Sequence, residues 1–357
     1  DYIIMPTSII AHETEKRTLN TLLKKNKKIF LIGIFANIMN KEYKSNNSYI
    51  VKGEPENFFL NLIYNKDEID LYFREGTNQR NSSNGMVSNI DELPFPDWKD
   101  YVKQYPLKNN FIGFNSKICI PLLASRGCPY SCAFCCNDVY NDMYRGEQPV
   151  RAQSAEYVVE QLKYFKEKYK ITEVDFLDDV FASTLSRLEE LLPLYKKEFG
   201  LPFNCAMYPN RFTNQEKVIQ ILKENCCSWI KVGIQSASES YRREVLKRKE
   251  PNSLILDLAD LCHKHGLMFT LDCILSMPGD TEEYMAEGIE LFSRARPAVV
   301  NYSSLIYLPK TSIVETGLEL GEITTEDVEL INRGLNPVNL ASNVERFYGK
   351  SQWAFAE

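Results

Sequence analysis

No apolar run in this sequence approaches the roughly 20 residues that a membrane-spanning helix needs. Basic residues are not in excess. Lys and Arg number 42 against 48 Asp and Glu, and a net charge of −6 gives no global positive field to recruit nucleic acid. Histidine is scarce. His12 reads as a solvated residue at a helix start, and His263 and His265 as a pair facing a helix C-terminus before Gly266. Ten cysteines are too few for a disulfide scaffold in 357 residues. An initiator methionine is missing too. The chain starts at Asp1 and enters the apolar run Tyr2-Ile3-Ile4-Met5 at once, so it reads as a fragment. The rest is an ordinary globular composition, 44% hydrophobic and 25% charged, with length for two domains.

The cysteines are clustered. Ser125 to Asn137 reads Ser-Arg-Gly-Cys-Pro-Tyr-Ser-Cys-Ala-Phe-Cys-Cys-Asn. Cys128, Cys132 and Cys135 form C-x3-C-x2-C, and Phe134 stands just before the third. Three thiolates on one short loop can hold three irons of a cubane cluster and leave the fourth iron open, whereas electron-transfer cubanes usually take four cysteines. Two plainer readings compete. A structural zinc ion wants four ligands in a tetrahedron. Cys136 offers a fourth sulfur, but adjacent side chains seldom point at one metal. Alternatively the thiols are inert, since free cysteine packs as a small hydrophobe. Cys119, Cys205, Cys226, Cys227, Cys262 and Cys273 fit that description. Thiols gathered around one loop suit a reducing, cytoplasmic compartment with metal chemistry.

Hydrophobic patterning divides the chain into four parts. Residues 1–66 alternate strand and helix, with Ile29 to Phe35 as a buried-strand run, and read as part of a doubly wound α/β sheet. Residues 67–116 read as a linker. Thr77 to Asn89 is polar, and the prolines of Leu93-Pro94-Phe95-Pro96 fix an extended path that lets Phe95 and Trp98 dock on the next domain. Strand and helix then alternate over residues 117–311. The expected strands are Ile118 to Ala124, Ile171 to Leu177, Pro202 to Met207, Trp229 to Ile234, Met268 to Leu275 and Val299 to Leu308. Thr213 with Glu216, and Asp280 with Glu283, are expected helix caps. Residues 312–357 read as a helical tail without a chemical motif.

The cysteine stretch resembles the signature of the radical S-adenosylmethionine (radical SAM) enzymes. That resemblance implies a [4Fe-4S] cluster on Cys128, Cys132 and Cys135, whose open iron chelates the methionine part of SAM. Reductive cleavage then gives methionine and a 5′-deoxyadenosyl radical, with a flavodoxin or ferredoxin as reductant. The implied fold for 117–311 is an open, partial (β/α)6 TIM-like barrel with the cysteine loop after its first strand, at the end where such barrels build their sites. Residues 1–66, with Gly53-Glu54-Pro55-Glu56, resemble the second half of the cobalamin-binding, Rossmann-like domain that precedes the barrel in one large class. That resemblance leaves cobalamin open for a full-length protein and does not extend it to this chain. The Asp-x-His-x-x-Gly loop that many such domains use is not in this chain.

Four later segments match the class in order. Asp175 to Phe181 brings Asp178 and Asp179 to a strand end, where the resemblance implies acceptors for the SAM ammonium; a helix-start acidic pair is the rival reading. Val232-Gly233-Ile234-Gln235-Ser236 matches Gly-x-Glu-Ser, with Gln235 in place of the acid, so a polar contact can survive but not a carboxylate role. Ser276-Met277-Pro278-Gly279-Asp280-Thr281 resembles Gly-x-Pro-Gly-Glu-Thr and puts Ile274 and Met277 near the adenine. Leu308-Pro309-Lys310-Thr311 lacks the glycine of many relatives, and Arg211 is a weaker candidate for the SAM carboxylate. The expected activity is radical SAM chemistry at an unactivated carbon, with methyl transfer the commonest outcome in the class. The substrate is not legible.

Overall fold

A computed structural model describes residues 2–8, 12–39, 43, 45, 47–64, 86–99, 118–148, 150–209 and 214–335. Arg211, Thr213, most of the polar stretch from Thr77 and the tail beyond 335 lie outside them. The N-terminal part is a parallel three-stranded sheet, β1 (Tyr2–Pro6), β2 (Lys28–Ile32) and β3 (Ser48–Ile50), in the order 1-2-3. Its helices are α1 (His12–Lys24), the short α2 (Ile34–Ile38) and α3 (Pro55–Tyr64). Ile29, Phe30 and Leu31 are all buried, as expected of a strand covered on both faces. Parallel neighbours need a crossover between them, and the helices supply it.

The larger part is a six-stranded parallel sheet in strict chain order. It runs β4 (Cys119–Leu122), β7 (Glu173–Phe176), β8 (Phe203–Met207), β9 (Cys227–Gln235), β10 (Met268–Leu275) and β11 (Val299–Ser304). Each expected strand is present. The last ends at Ser304, four residues before the expected Leu308. β4 and β11 are the edges among the described residues, which makes this an open partial barrel. One face of the sheet meets the helices. Val174, Phe176, Phe203, Cys205, Ile230, Val232 and Leu271 join a buried core with Leu162 and Phe165 of α5 (Ala155–Tyr169) and with Leu192 and Tyr195 of α6 (Leu185–Glu198). Cys119 is half-buried, while Cys205, Cys227, Cys262 and Cys273 are part of that core.

Because strand side chains alternate, the intervening residues face the other way, into the barrel. That inner face is polar. Lys231 Nζ binds both Asp175 oxygens at 2.8 and 2.9 Å, Asn301 Nδ2 donates to Asp272 at 2.8 Å and Asn204 Nδ2 to Glu173 at 3.0 Å. All six strands run the same way, so their carboxyl ends share one rim.

Asn214 accepts from the Lys217 amide at the start of α7 (Gln215–Glu224), where the expected Thr213 lies outside the described residues. Thr281, not Asp280, caps Glu282–Ala295 through the Tyr284 amide. A hydroxyl or amide one residue closer reaches the exposed amide directly, and the acids fall in the first turn. Phe95 and Trp98 dock on the barrel, as expected. Phe95 packs edge-on against Tyr157, and the Trp98 amide donates to the Tyr169 hydroxyl at 3.0 Å. His263 bonds the Ala295 carbonyl at 2.9 Å, a structural contact.

The barrel's packing is concentrated on Phe203, which is fully buried among Phe176, Phe181 and Tyr195. Phe203→Ala is expected to cost about 3–5 kcal/mol of stability, read as an earlier urea midpoint at unchanged slope.

Candidate functional site

The three-cysteine loop leaves the rim just after β4. A two-stranded antiparallel ribbon closes it, β5 (Ser125–Arg126) paired with β6 (Arg151–Ala152). Gly127 turns the chain at φ +85, a conformation open to glycine at little cost. Cys128 and Cys132 are buried, and Cys135 is half-buried as the N-cap of α4 (Cys136–Met143). Asn137 donates to Cys135 Sγ from its backbone at 3.5 Å and from Nδ2 at 3.7 Å. Arg248 Nη1 donates to Cys132 Sγ at 3.7 Å.

The electrostatics of the three thiols differ. Burial pushes Cys128 up to about 12. Burial also raises Cys132, against the lowering charge of Arg248. Cys135 is lowered to about 7: the Cys136 thiol bonds to it, and that bond and the Asn137 donors outweigh burial. Cys136 is raised by the same bond, as its donor.

These donors test whether the loop fits an iron-sulfur cluster. A neutral thiol has little need of a guanidinium, an amide N–H and a helix N-terminus, whereas a metal-bound thiolate is stabilised by all three. Among the described residues, no three His, Cys, Asp or Glu side chains converge closely enough to hold one metal ion. A cubane takes one thiolate per iron, and three cysteines on one loop can supply three of them. The donor set fits the cluster.

Asp178 and Asp179 lie at the loop, and Phe134 is part of it. Asp178 is 2% exposed. Its Oδ2 accepts from the Ala124 amide at 3.0 Å and its Oδ1 from the Ser125 hydroxyl, so the carboxylate holds the base of the loop. Asp179 is exposed beside the cysteines; crowding by the protein raises its pKa and the Asn137 side chain opposes that. Phe134 and Ile274 pack on one apolar cluster with Ala133, Met277 and Tyr307. The middle of the loop is pinned there, with the Ala133 amide donating to Leu246 O at 3.2 Å and the Ile313 amide to Ala133 O at 2.9 Å.

Gln235 sits at φ +67 at the end of β9, and a Cβ on Gly233 would lie 2.6 Å from its Nε2. The glycine leaves the space over which the amide folds back. Ser236 is buried and accepts from the Ser238 amide at 3.3 Å. Ser276, which stands where the resemblance has glycine, takes φ +60, and Lys310, in the segment that lacks the relatives' glycine, takes φ +64. A side chain in that region costs on the order of 1–3 kcal/mol and persists only where the surroundings hold it.

Sequence reading missed Arg248. It lies in Lys247-Arg248-Lys249-Glu250, a run that looks like solvated charge, yet it is 3% exposed. Besides Cys132 it binds Glu250 Oε1 and Gly233 O, both at 2.6 Å. Its guanidinium carbon lies 4.3 Å from the Tyr208 ring centroid, and Tyr208 stacks on Tyr130 at 3.9 Å. Tyr208 also donates to Glu250 Oε2 at 2.6 Å. The cue was the aromatic at the end of β8, which sequence alone does not pair with a distant arginine.

A family model described as "Radical SAM superfamily" matches residues 122–292. The chain is 29% identical over 243 residues to an uncharacterized methyltransferase of Pyrococcus horikoshii, covering 66% of this chain and 50% of that protein. It is 24% identical over 325 residues to the bacteriochlorophyllide d C-8(2)-methyltransferase of Chlorobaculum tepidum, covering 87% and 66%. Among solved structures, the cobalamin-dependent S-adenosylmethionine radical enzyme OxsB, with aqua-cobalamin and S-adenosylmethionine bound, superposes with a TM-score of 0.64 at 15% identity, covering 94% of this chain and 49% of that one. The chain thus spans about half to two thirds of the length of these proteins.

Burial raises Asp178 to about 6 from 3.8, against the lowering hydrogen bonds of Ser125 and Ala124. The protonated acid is therefore the form that folding favours. Its contribution is complete below about pH 4 and is lost as pH rises through about 6, a change of about 3 kcal/mol. Chemical denaturation across this range should show that decline in the wild type, and Asp178→Asn should remove it.

Proposed function

We propose that the chain, whose residues 122–292 match the radical SAM superfamily model, is a radical SAM enzyme acting in methyl transfer to, or modification of, an unactivated carbon. The observation that carries this reading is the buried three-cysteine loop at the rim, with Arg248 and Asn137 donating to its sulfurs. Cys128, Cys132 and Cys135 would hold a [4Fe-4S] cluster, which when bound supplies the electron that splits SAM into methionine and a 5′-deoxyadenosyl radical. The relatives named as methyltransferases favour methyl transfer among the outcomes.

The chain's own residues have separable tasks. Arg248 and Asn137 keep negative charge on the thiolates. Phe134, Ile274 and Met277 form an apolar wall that excludes water beside the loop. Asp179, exposed at the mouth, is the carboxylate positioned to accept from a ligand ammonium, while Asp178 fixes the loop beneath it. Gln235 and Ser236 offer amide and hydroxyl contacts to a ribose. The polar inner face, with Asp175–Lys231 and Asp272–Asn301, is where a substrate's polar groups would be met.

A low-potential carrier such as flavodoxin or ferredoxin, and a cytoplasmic, reducing setting, go with this chemistry. No helix among the described residues is long and apolar enough to cross a membrane. The OxsB structure holds cobalamin. The same cofactor is compatible with this reading, and no residue of this chain is assigned to it.

Anaerobic reconstitution with iron and sulfide should give about four irons per chain. With dithionite and SAM the product should be 5′-deoxyadenosine, abolished by Cys128→Ala, Cys132→Ala or Cys135→Ala. One zinc per chain and no iron uptake would sink the reading.

A further inference from the structure

The cysteine loop is held from outside the barrel as well as from within it. Glu54 lies between β3 and α3 of the N-terminal sheet. Its two oxygens meet Arg151 Nη2 and Nη1 at 2.7 Å each, and its Oε1 lies 3.4 Å from Arg126 Nη1. Glu56 takes the other end of Arg126, accepting from Nη2 at 2.7 Å. Arg126 and Arg151 are register partners in the ribbon that closes the loop, so one carboxylate joins both of its strands. Arg126 stands two residues before Cys128.

The Arg151 side chain is 7% exposed and Glu54 is 16% exposed. Arg151 Nη1 also donates to Val87 O at 2.6 Å, and the Val87 amide donates to Glu54 Oε2 at 2.6 Å. This is a desolvated bidentate pair with further hydrogen bonds, the geometry in which removing one partner is most costly. A separate contact grips the far end of the loop. Val139 of α4, four residues past Cys135, is part of the N-terminal sheet's core with Met5, Leu31 and Phe35.

We infer that the N-terminal sheet is a structural half of the cluster site, with Glu54 a positioning residue that fixes the cysteine loop through Arg126 and Arg151. The inference rests on the proposed function for what the loop holds, but not for the fixing itself. The cysteine segment is thus bracketed by one unit at both ends, while Asp178 and Ala133 tie it to the barrel.

The first readout needs no cluster. In the full chain without iron, amide hydrogen exchange should accelerate about tenfold or more over residues 125–137 in Glu54→Gln, while β9 keeps its wild-type rates. Unchanged exchange over 125–137 overturns the inference, and so does equal acceleration in β9, which would mean general destabilisation. Arg126→Gln leaves the Glu54–Arg151 pair in place and should accelerate the same segment by a smaller factor. If Glu54→Gln does not fold, Arg126→Gln decides, and no acceleration overturns the inference. The second readout is spectroscopic. After anaerobic loading, Glu54→Gln should broaden the electron paramagnetic resonance of the reduced cluster and lose iron severalfold faster to a chelator. If the wild type loads no cluster, the proposed function fails while the exchange result stands. If it loads and Glu54→Gln matches it in exchange and resonance, this inference alone fails.

Discussion

A loop that carries three thiols within eight residues has no core of its own. Its shape must come from contacts made by the rest of the chain, and most of the unusual contacts in this protein do that work. The Asp178 carboxylate holds the base, the Leu246 carbonyl and Ile313 amide hold the middle, and Asn137 holds the third cysteine from the start of a helix. Arg248 is buried beside the second cysteine with Glu250 as counter-charge. A guanidinium taken out of water without a partner would be prohibitive, so the arginine, the acid and Tyr208 act as one unit.

The six-stranded sheet makes these contacts available. Parallel strands in chain order bring every carboxyl end to one rim, so residues far apart in sequence become neighbours there. Tyr130 comes from the cysteine loop and Tyr208 from the end of β8, and they stack. Gln235 ends β9 and Ser276 follows β10, and with Lys310 beyond β11 each takes positive φ. Gln235 and Ser276 lie where the chain turns from strand to loop, and Lys310 lies in the turn before the helix Ser312–Glu319.

The N-terminal unit changes how the site is bounded. Glu54 and Glu56 were visible as part of a Gly-Glu-Pro-Glu segment, but not as partners of the loop's arginines. Glu54 and Arg151 are separated by 97 positions, and nothing in local patterning signals that they meet. Arg248 and Cys132 are 116 apart. Local propensity and hydrophobic period report on neighbours along the chain, whereas a buried ion pair depends on which surfaces are brought together.

The sequence by itself determined the alternation of strand and helix, because a parallel strand covered on one or both faces shows a short apolar run or an apolar alternation and its crossover helix an apolar stripe. Ile29 to Leu31 and Met268 to Leu275 follow from that rule, as does the position of the cysteine loop after β4. It also showed the candidate metal site, since three thiols at short spacing are a local fact. Only the tertiary structure decided how those thiols are held. It turned Asp178 inward to the loop and left Asp179 outward. It moved Arg248 from an apparent surface run into the interior, and it made the N-terminal carboxylates part of the site. Charge of this kind is placed by desolvation and by the partner that compensates it, and both are properties of the folded chain.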